Sequence, residues 1–270
     1  FNEAVEAEAK GVHSVLSVFE NLIEIKPELT APLLVSAGLL PYLLRRVRVR
    51  SAEGVRLFCS ELLSSALQEE EAVVDALGDV KGEDGVDALL QSVAQWRKRD
   101  PSSPEEEECC ENLFNCLCTA MLRREHQHRF RRGEGVELVV RMLREKGYTL
   151  HCAVKTLAYA VADNAACCKR VVEAGGLKVL FPVLMGKSVT KHVKKGWVSR
   201  EVLEEHVTTT LSHLLLHCRG EQRQRLLGKF LEKDYQKTDR LVELHLAYLD
   251  RVRAAGAEAD ADEGAGAEVV

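Results

Sequence analysis

Two histidines have the spacing that could hold a metal ion. His213 and His217 lie four residues apart and therefore share one face of a helix, but residue 214 is Leu rather than the Glu of a His-Glu-x-x-His metalloprotease. A bare pair of histidines binds zinc weakly. We therefore expect these two side chains to pack in the protein or to lie at its surface.

Two closer pairs are less suited to metal binding. Cys116 and Cys118, like His126 and His128, are spaced by two residues, and on a helix such positions point to different faces. Neither pair would converge on one ion. The sequence predicts no metal site and no cofactor.

Catalytic motifs are also incomplete. Gly186-Lys187-Ser188 is similar to the end of a phosphate-binding loop, but position 181 is Phe where that loop needs Gly, and no strand pattern precedes it. The sequence shows no Gly-x-Ser-x-Gly elbow and no dinucleotide fingerprint after a strand. We therefore predict a protein that is not an enzyme and has no catalytic residue.

The cysteines indicate a reducing compartment. There are 9, an odd number, and they lie within apolar helical patterns rather than at the regular spacings of a disulfide scaffold. We expect reduced, buried thiols in an intracellular protein.

The charge of the chain is concentrated at one end. The 270 residues include 37 basic and 42 acidic ones, but residues 256–270 hold 5 acidic and no basic residues, so the rest is formally neutral. This balance predicts no direct nucleic-acid partner, and no apolar run approaches the roughly 18 residues of a membrane span. Because residue 1 is Phe, we expect the chain to be a fragment.

Apolar residues recur at steps of three and four throughout, as they do at Val12, Leu16, Phe19 and Ile23. This is the periodicity of amphipathic helices, and strict alternation is never sustained. The sequence thus predicts an all-α protein.

A repeated glycine organises these helices. Gly38, Gly85, Gly135 and Gly176 each precede an apolar helical stripe, at separations of 47, 50 and 41 residues. Armadillo and HEAT units repeat every 40–47 residues or so, and the glycine suits the sharp turn from a second helix into a third. We predict an armadillo/HEAT-type right-handed superhelical solenoid of about five repeats, the fifth turning at Gly220 or Gly228.

The predicted armadillo domain covers residues 1–252 and is followed by an acidic low-complexity tail, 253–270, that we expect to be disordered. The predicted units span residues 4–50, 51–100, 104–147, 148–188 and 200–252.

Two polar segments interrupt the units. In residues 97–108, Pro101 and Pro104 end one helix and Ser103 can cap the next. The acidic run Glu105–Glu108 then lies in the first turn of that helix, where the helix dipole favours negative charge. The alternative is that this run binds a basic peptide. In residues 186–200, four lysines indicate a solvated loop or a contact for phosphates or an acidic partner.

Stacked third helices would form an extended surface for a peptide or a partner helix. Positions two and six residues along from each turn glycine avoid the core stripe, and one aromatic residue, Trp96, ends a third helix beside Arg97. The alternative is that these residues bind no ligand. The polar ones would then be ordinary exposed helix positions, and the aromatic one a packed edge residue. These peptide-groove candidates are Asp87, Gln91, Trp96, Glu137, Arg141 and Lys178.

Three stretches carry a family resemblance. They are residues 9–29, residues 101–146 with CCENLFNCLC and FRRGEGVELVVRMLREK, and residues 218–249 with CRGEQRQRLLGKF. They resemble the beta-catenin-like protein 1 family of armadillo-repeat, spliceosome-associated proteins over roughly residues 4–250.

This resemblance implies a nuclear, non-enzymatic scaffold for pre-mRNA splicing. Members associate with the nineteen complex and recognise basic nuclear-localisation-type segments of splicing factors, including a Myb-like core subunit, and they can self-associate. The alternative is an importin-like cargo adaptor or another armadillo interaction scaffold, although the Trp and Asn ladders of importin-type grooves are not seen here.

Overall fold

The computed structural model describes residues 3–49, 54–187 and 189–267, which form 16 α-helices and no strand. The prediction of an all-α solenoid is confirmed. Among the described residues, no single helix is long and apolar enough to cross a membrane. The helices 27–36 and 39–48, which meet at an angle of 78°, together reach that length and apolar composition.

The helices follow one another mostly in threes. In chain order they are α1 (Glu3–Ile25), α2 (Pro27–Ser36), α3 (Leu39–Arg48), α4 (Gly54–Glu69), α5 (Glu71–Ala76), α6 (Gly85–Ala94), α7 (Pro104–Ala120), α8 (Arg124–Arg132), α9 (Gly135–Glu145), α10 (Leu150–Val161), α11 (Ala165–Glu173), α12 (Leu177–Leu184), α13 (Thr190–Lys194), α14 (Arg200–His217), α15 (Gly220–Leu231) and α16 (Gln236–Ala267).

The turn glycines lie where the sequence predicts them, at the starts of α3, α6, α9 and α12. Their role is close approach as much as backbone freedom. A Cβ on Gly135 would lie 2.5 Å from the ring of Phe130, and one on Gly176 would lie 2.6 Å from the Val171 side chain. Only Gly38 uses a left-handed conformation there, with φ of 74°.

Stacking of the first helices makes the core. The first helix of each unit packs against the first helix of the next, from α1 through α4, α7 and α10 to α14. Buried side chains form one continuous cluster from Leu16 to Leu244. Each unit therefore buries its apolar face against its neighbours, as in other repeat proteins.

The fifth unit turns differently from the prediction. Gly220 begins α15 and Gly228 lies inside it, so neither forms the turn into the third helix. That turn is made by Lys233, Asp234 and Tyr235, three consecutive non-glycine residues with φ between 52° and 64°. The turn does not need a glycine, because three residues with side chains adopt the left-handed conformation instead. This conformation costs backbone strain.

The two interruptions have distinct structures. Ser103 caps α7 by accepting a hydrogen bond from the Glu106 N–H at 3.3 Å, and the Glu106 carboxylate accepts from the Ser102 N–H at 2.8 Å, which confirms the predicted cap. Residues 186–200 expose Lys187, Lys194 and Lys195 to solvent, as the predicted loop would, and also include the short helix α13. Their aromatic ring, Trp197, packs edge-on to buried Tyr148 at 5.0 Å, so this loop closes the core beside α10.

The C-terminal segment continues as helix. α16 extends to Ala267, through most of the segment that we expected to be disordered, and alanine's high helix propensity favours this. The division into a domain and a tail stays a prediction. All nine cysteines are free and buried, as predicted.

Candidate functional site

The groove candidates on α6 are joined in a chain of hydrogen bonds. Asp87 accepts from the Gln91 amide at 2.7 Å, and the Gln91 carbonyl accepts from Arg48 of α3 at 2.7 Å. Arg48 also pairs with Glu83 at 3.2 Å. Both α6 candidates are exposed, but their polar groups are already committed to one another and to a cation of this chain.

On α9, the acidic candidate is also paired. Glu137 binds Arg170 of α11 through one carboxylate oxygen, while its other oxygen is buried without a hydrogen-bond partner. Arg141, one turn further along, is exposed and makes no ion pair with any described residue. The uncommitted charge on this helix is therefore positive.

Trp96 follows the end of α6 and lies in the core. It is 4% exposed, and the guanidinium groups of Arg56 and Arg99 lie 5.4 and 5.9 Å from its ring centroid. Trp96 is therefore a packed residue in this conformation, and its ring offers a peptide no exposed face.

Lys178 lies at a cavity of about 280 Å³ between α12 and the turn from α15 to α16. Apolar side chains form part of this cavity, and lysines surround them. Its lining residues are Leu177, Lys178, Phe181, Pro182, Met185, Lys187, Lys229, Glu232, Lys233, Gln236 and Lys237.

The charge of this lysine pocket is only partly balanced. Glu232 accepts hydrogen bonds from Lys229 at 2.6 Å and from Lys237 at 2.9 Å, and these bonds lower the pKa of Glu232 to about 2. The remaining lysines make no ion pair with a described residue; they are Lys178, Lys187 and Lys233. The pocket therefore favours an anion.

The six groove candidates thus do not form an acidic ladder. Asp87 and Glu137 are the only carboxylates among them, and both have partners within the chain. The uncommitted side chains are Arg141 and Lys178. A basic segment would meet more repulsion than attraction along these positions.

A different set of carboxylates, the first-helix acidic cluster, lies on α1, α4 and α7. It consists of Glu20, Glu61 and Glu108, none of which pairs with a described basic residue. Burial and the neighbouring charges of Glu108 and Glu20 raise the pKa of Glu61. Glu61 therefore lies between like charges on the preceding and the following unit, and its side chain also hydrogen-bonds with that of Glu108.

The peptide-groove candidates predicted from the sequence lie on or beside the third helices and so do not include this cluster, which lies on the first helices. A signal was nevertheless present, since positions 20, 61 and 108 are 41 and 47 residues apart, which is the repeat period itself. Repeated carboxylates at the repeat period predict neighbours on stacked equivalent helices.

A Cys–His–Glu arrangement joins α7 to α10. The Cys152 thiol lies 3.3 Å from Nε2 of His151, which is 3.5 Å from the Glu111 carboxylate, and Tyr148 donates to the same carboxylate at 2.5 Å. Contacts with Cys110 and His151 lower the pKa of Cys152. Cys152 is only 5% exposed, and the arrangement links α7 to α10.

Comparison with known proteins identifies relatives across nearly the whole chain. Beta-catenin-like protein 1 from Homo sapiens and from Bos taurus are each 40% identical over 260 residues, which cover 94% of this chain and 45% of each relative. The Schizosaccharomyces pombe homolog is 30% identical over 259 residues, covering 94% of this chain and 43% of its own length.

The chain therefore spans less than half the length of these relatives. The sequence model of one family, described as catenin-beta-like, Arm-motif containing and nuclear, matches residues 1–268. That description names a helical repeat architecture and a nuclear location and no enzymatic activity, in accord with the stacked three-helix units described above. The chain belongs to the catenin-beta-like, Arm-motif containing nuclear family.

Proposed function

We propose that this chain is a nuclear protein-binding scaffold of pre-mRNA splicing that recognises basic segments of splicing factors. Its relatives are Arm-motif proteins of a family described as nuclear, and stacked repeats offer extended surfaces on which a partner segment binds. The observation that carries the proposal is the first-helix acidic cluster.

The cluster suits a basic ligand because its own charges are unbalanced. The raised pKa of Glu61 reflects burial together with repulsion from Glu108 and Glu20, and a lysine or arginine placed among them would relieve that repulsion. Glu137 lacks this property, since Arg170 balances its charge, and Asp87 is joined through the neutral Gln91 amide to Arg48. We therefore place the basic segment on the first helices rather than on the third.

The repeat geometry predicts the pattern that the ligand needs. Packed helices lie about 8–10 Å apart, and an extended chain advances about 3.3 Å per residue. A segment crossing α1, α4 and α7 would thus present one cation to each carboxylate at about every third residue. Lysine- and arginine-rich segments of the nuclear-localisation type meet this requirement.

The proposal is tested by recovering partners from nuclear extract with the chain and with its Glu20→Lys/Glu61→Lys/Glu108→Lys variant. We expect subunits of the nineteen complex, including its Myb-like core subunit, to bind the unmodified chain and to be lost from the variant. An Asp87→Lys/Glu137→Lys variant serves as the comparison and should retain them.

Recovery of transport factors without splicing factors would favour the importin-like alternative. Equal recovery of splicing factors by both variants would show that neither set of carboxylates recognises them. Loss of splicing factors from the Asp87→Lys/Glu137→Lys variant alone would show that the binding surface lies on the third helices.

The lysine pocket favours a second ligand class. Its three uncommitted lysines surround an apolar floor that includes Phe181 and Met185, which suits an apolar side chain flanked by carboxylates. A scaffold could thus hold a basic segment on its first units and an acidic one between its last two. An acidic peptide that binds the unmodified chain and a Lys178→Glu/Lys233→Glu variant equally would contradict this assignment.

A further inference from the structure

The structure adds a third potential ligand to the histidine pair on α14. Asp163, in the turn between α10 and α11, lies beside His213 and His217, although 50 residues separate it from the first of them. The two imidazole rings are nearly parallel, with centroids 5.9 Å apart and an angle of 9° between planes. The three donor atoms all lie within 4.8 Å of one another.

These separations approach those of a metal site. The Asp163 carboxylate oxygen lies 3.5 Å from Nε2 of His217 and 3.9 Å from Nδ1 of His213. A tetrahedral zinc ion with bonds of about 2.0–2.1 Å holds its ligand atoms about 3.3–3.4 Å apart. The two Asp163 separations are within about half an ångström of this value, whereas the two imidazole nitrogens, which lie within 4.8 Å of each other, would have to approach by up to about 1.4 Å.

The partners of the two imidazoles leave room for an ion. Nε2 of His217 is buried and has no hydrogen-bond partner in the described part of the chain. Nδ1 of His213 accepts only a long hydrogen bond, 3.4 Å, from the Asp163 N–H. The nearby Cys168 thiol is directed at backbone oxygens instead, with its sulfur 3.5 Å from the Val161 carbonyl and 3.6 Å from the His213 carbonyl.

The site is open on one side. The Asp163 side chain is 89% exposed, whereas His213 and His217 are 21% and 27% exposed. Two imidazoles and one carboxylate from the protein, with water from the solvent side, form a common zinc ligand set. We propose that Asp163, His213 and His217 bind one zinc(II) ion that clips the fourth unit to the fifth.

The ion would act on the stacking of units. Asp163 belongs to the loop that follows α10, and both histidines belong to α14, the helix that packs against α10 and α11. A ligand that binds only the folded arrangement stabilises it by mass action. Zinc should therefore hold these two units together and resist their separation on heating.

The test uses the untagged, metal-free chain titrated with zinc sulfate by calorimetry. We expect one ion per chain and a rise of several degrees in Tm. The Asp163→Asn and His217→Ala variants should each bind at least about tenfold more weakly. The His245→Ala variant, which removes an exposed histidine of α16, should bind like the unmodified chain.

Cobalt(II) supplies a second measurement that does not depend on stability. The unmodified chain should give the absorption bands of tetrahedral cobalt, and the His213→Ala/His217→Ala variant should not. Absence of stoichiometric zinc binding would overturn the proposal. Equal zinc binding by that double variant would overturn it too.

Discussion

At the scale of residues, spacing alone located the turn glycines but not the partners of charged groups. Gly135 and Gly176 recur at the repeat period, so their positions were predictable, and the structure shows a packed side chain beside each. Asp87 and Glu137 were predicted as ligand-binding carboxylates. Gln91, the partner of Asp87, lies one turn along the same helix, so the helical period places the two together. Arg170, the partner of Glu137, lies on α11 and is brought there by packing between helices that the sequence pattern cannot specify.

Replacing Gly135 tests the close approach at the third turn. Gly135→Ala should destabilise the protein by roughly 1–3 kcal/mol, because the new Cβ overlaps the buried ring of Phe130. The matched control is Gly228→Ala in α15, where nothing lies within 4 Å of the added Cβ, and which should stabilise by about 0.5–1 kcal/mol. Urea denaturation measures both, and a shift of the same sign in the two variants would contradict this account.

Neutralising Glu61 should make the protein more stable. Its pKa is raised in the folded state, so the ionised carboxylate destabilises the fold at pH 7, and this effect fades as the pH falls through the raised pKa towards 4.5, the ordinary pKa of a glutamate. Glu61→Gln should therefore raise Tm by about 1–2 °C at pH 7 and by nothing at pH 4. The control is Glu69→Gln, at an exposed and unpaired position of the same helix, which should leave Tm unchanged at both pH values.

At the scale of elements, the helix starts follow from local chemistry and the contacts between units do not. The prediction that Ser103 caps α7 is confirmed, because a cap and its helix are adjacent in sequence. Asn164 likewise caps α11, but it also donates to Gln127 of α8 at 2.9 Å, a residue 37 positions away. The fifth turn was placed wrongly, since Lys233 and its two neighbours adopt a conformation that the glycine pattern does not indicate.

The two roles of Asn164 predict a large effect of its removal. Asn164→Ala should cost about 2–3 kcal/mol, because α11 loses its cap and the buried Gln127 carbonyl loses a donor. Ser199→Ala removes only the cap of α14 and should cost about 1 kcal/mol. Thermal unfolding of both variants measures the difference; equal effects would show that the link to α8 contributes nothing.

At the scale of the whole molecule, charge is arranged in local clusters rather than as a net field. Without residues 256–270 the chain holds equal numbers of acidic and basic residues, 37 of each. The acidic cluster lies on the first units and the lysine pocket at the last two, so opposite charges are separated along the stack. The repeat period predicts the stack of units. The separation of acidic and basic groups along it depends on which residues of neighbouring helices lie side by side, which the period alone does not specify.

The most direct test of the central claim is the affinity of a lysine- and arginine-rich splicing-factor peptide for the chain, measured by fluorescence anisotropy. The Glu20→Gln/Glu61→Gln/Glu108→Gln variant should bind about tenfold more weakly, since each exposed ion pair contributes about 0.2–1 kcal/mol. The Glu69→Gln/Glu134→Gln/Glu221→Gln variant has the same net charge and should bind as the unmodified chain does. Equal affinities of the two variants would contradict recognition by the first-helix acidic cluster.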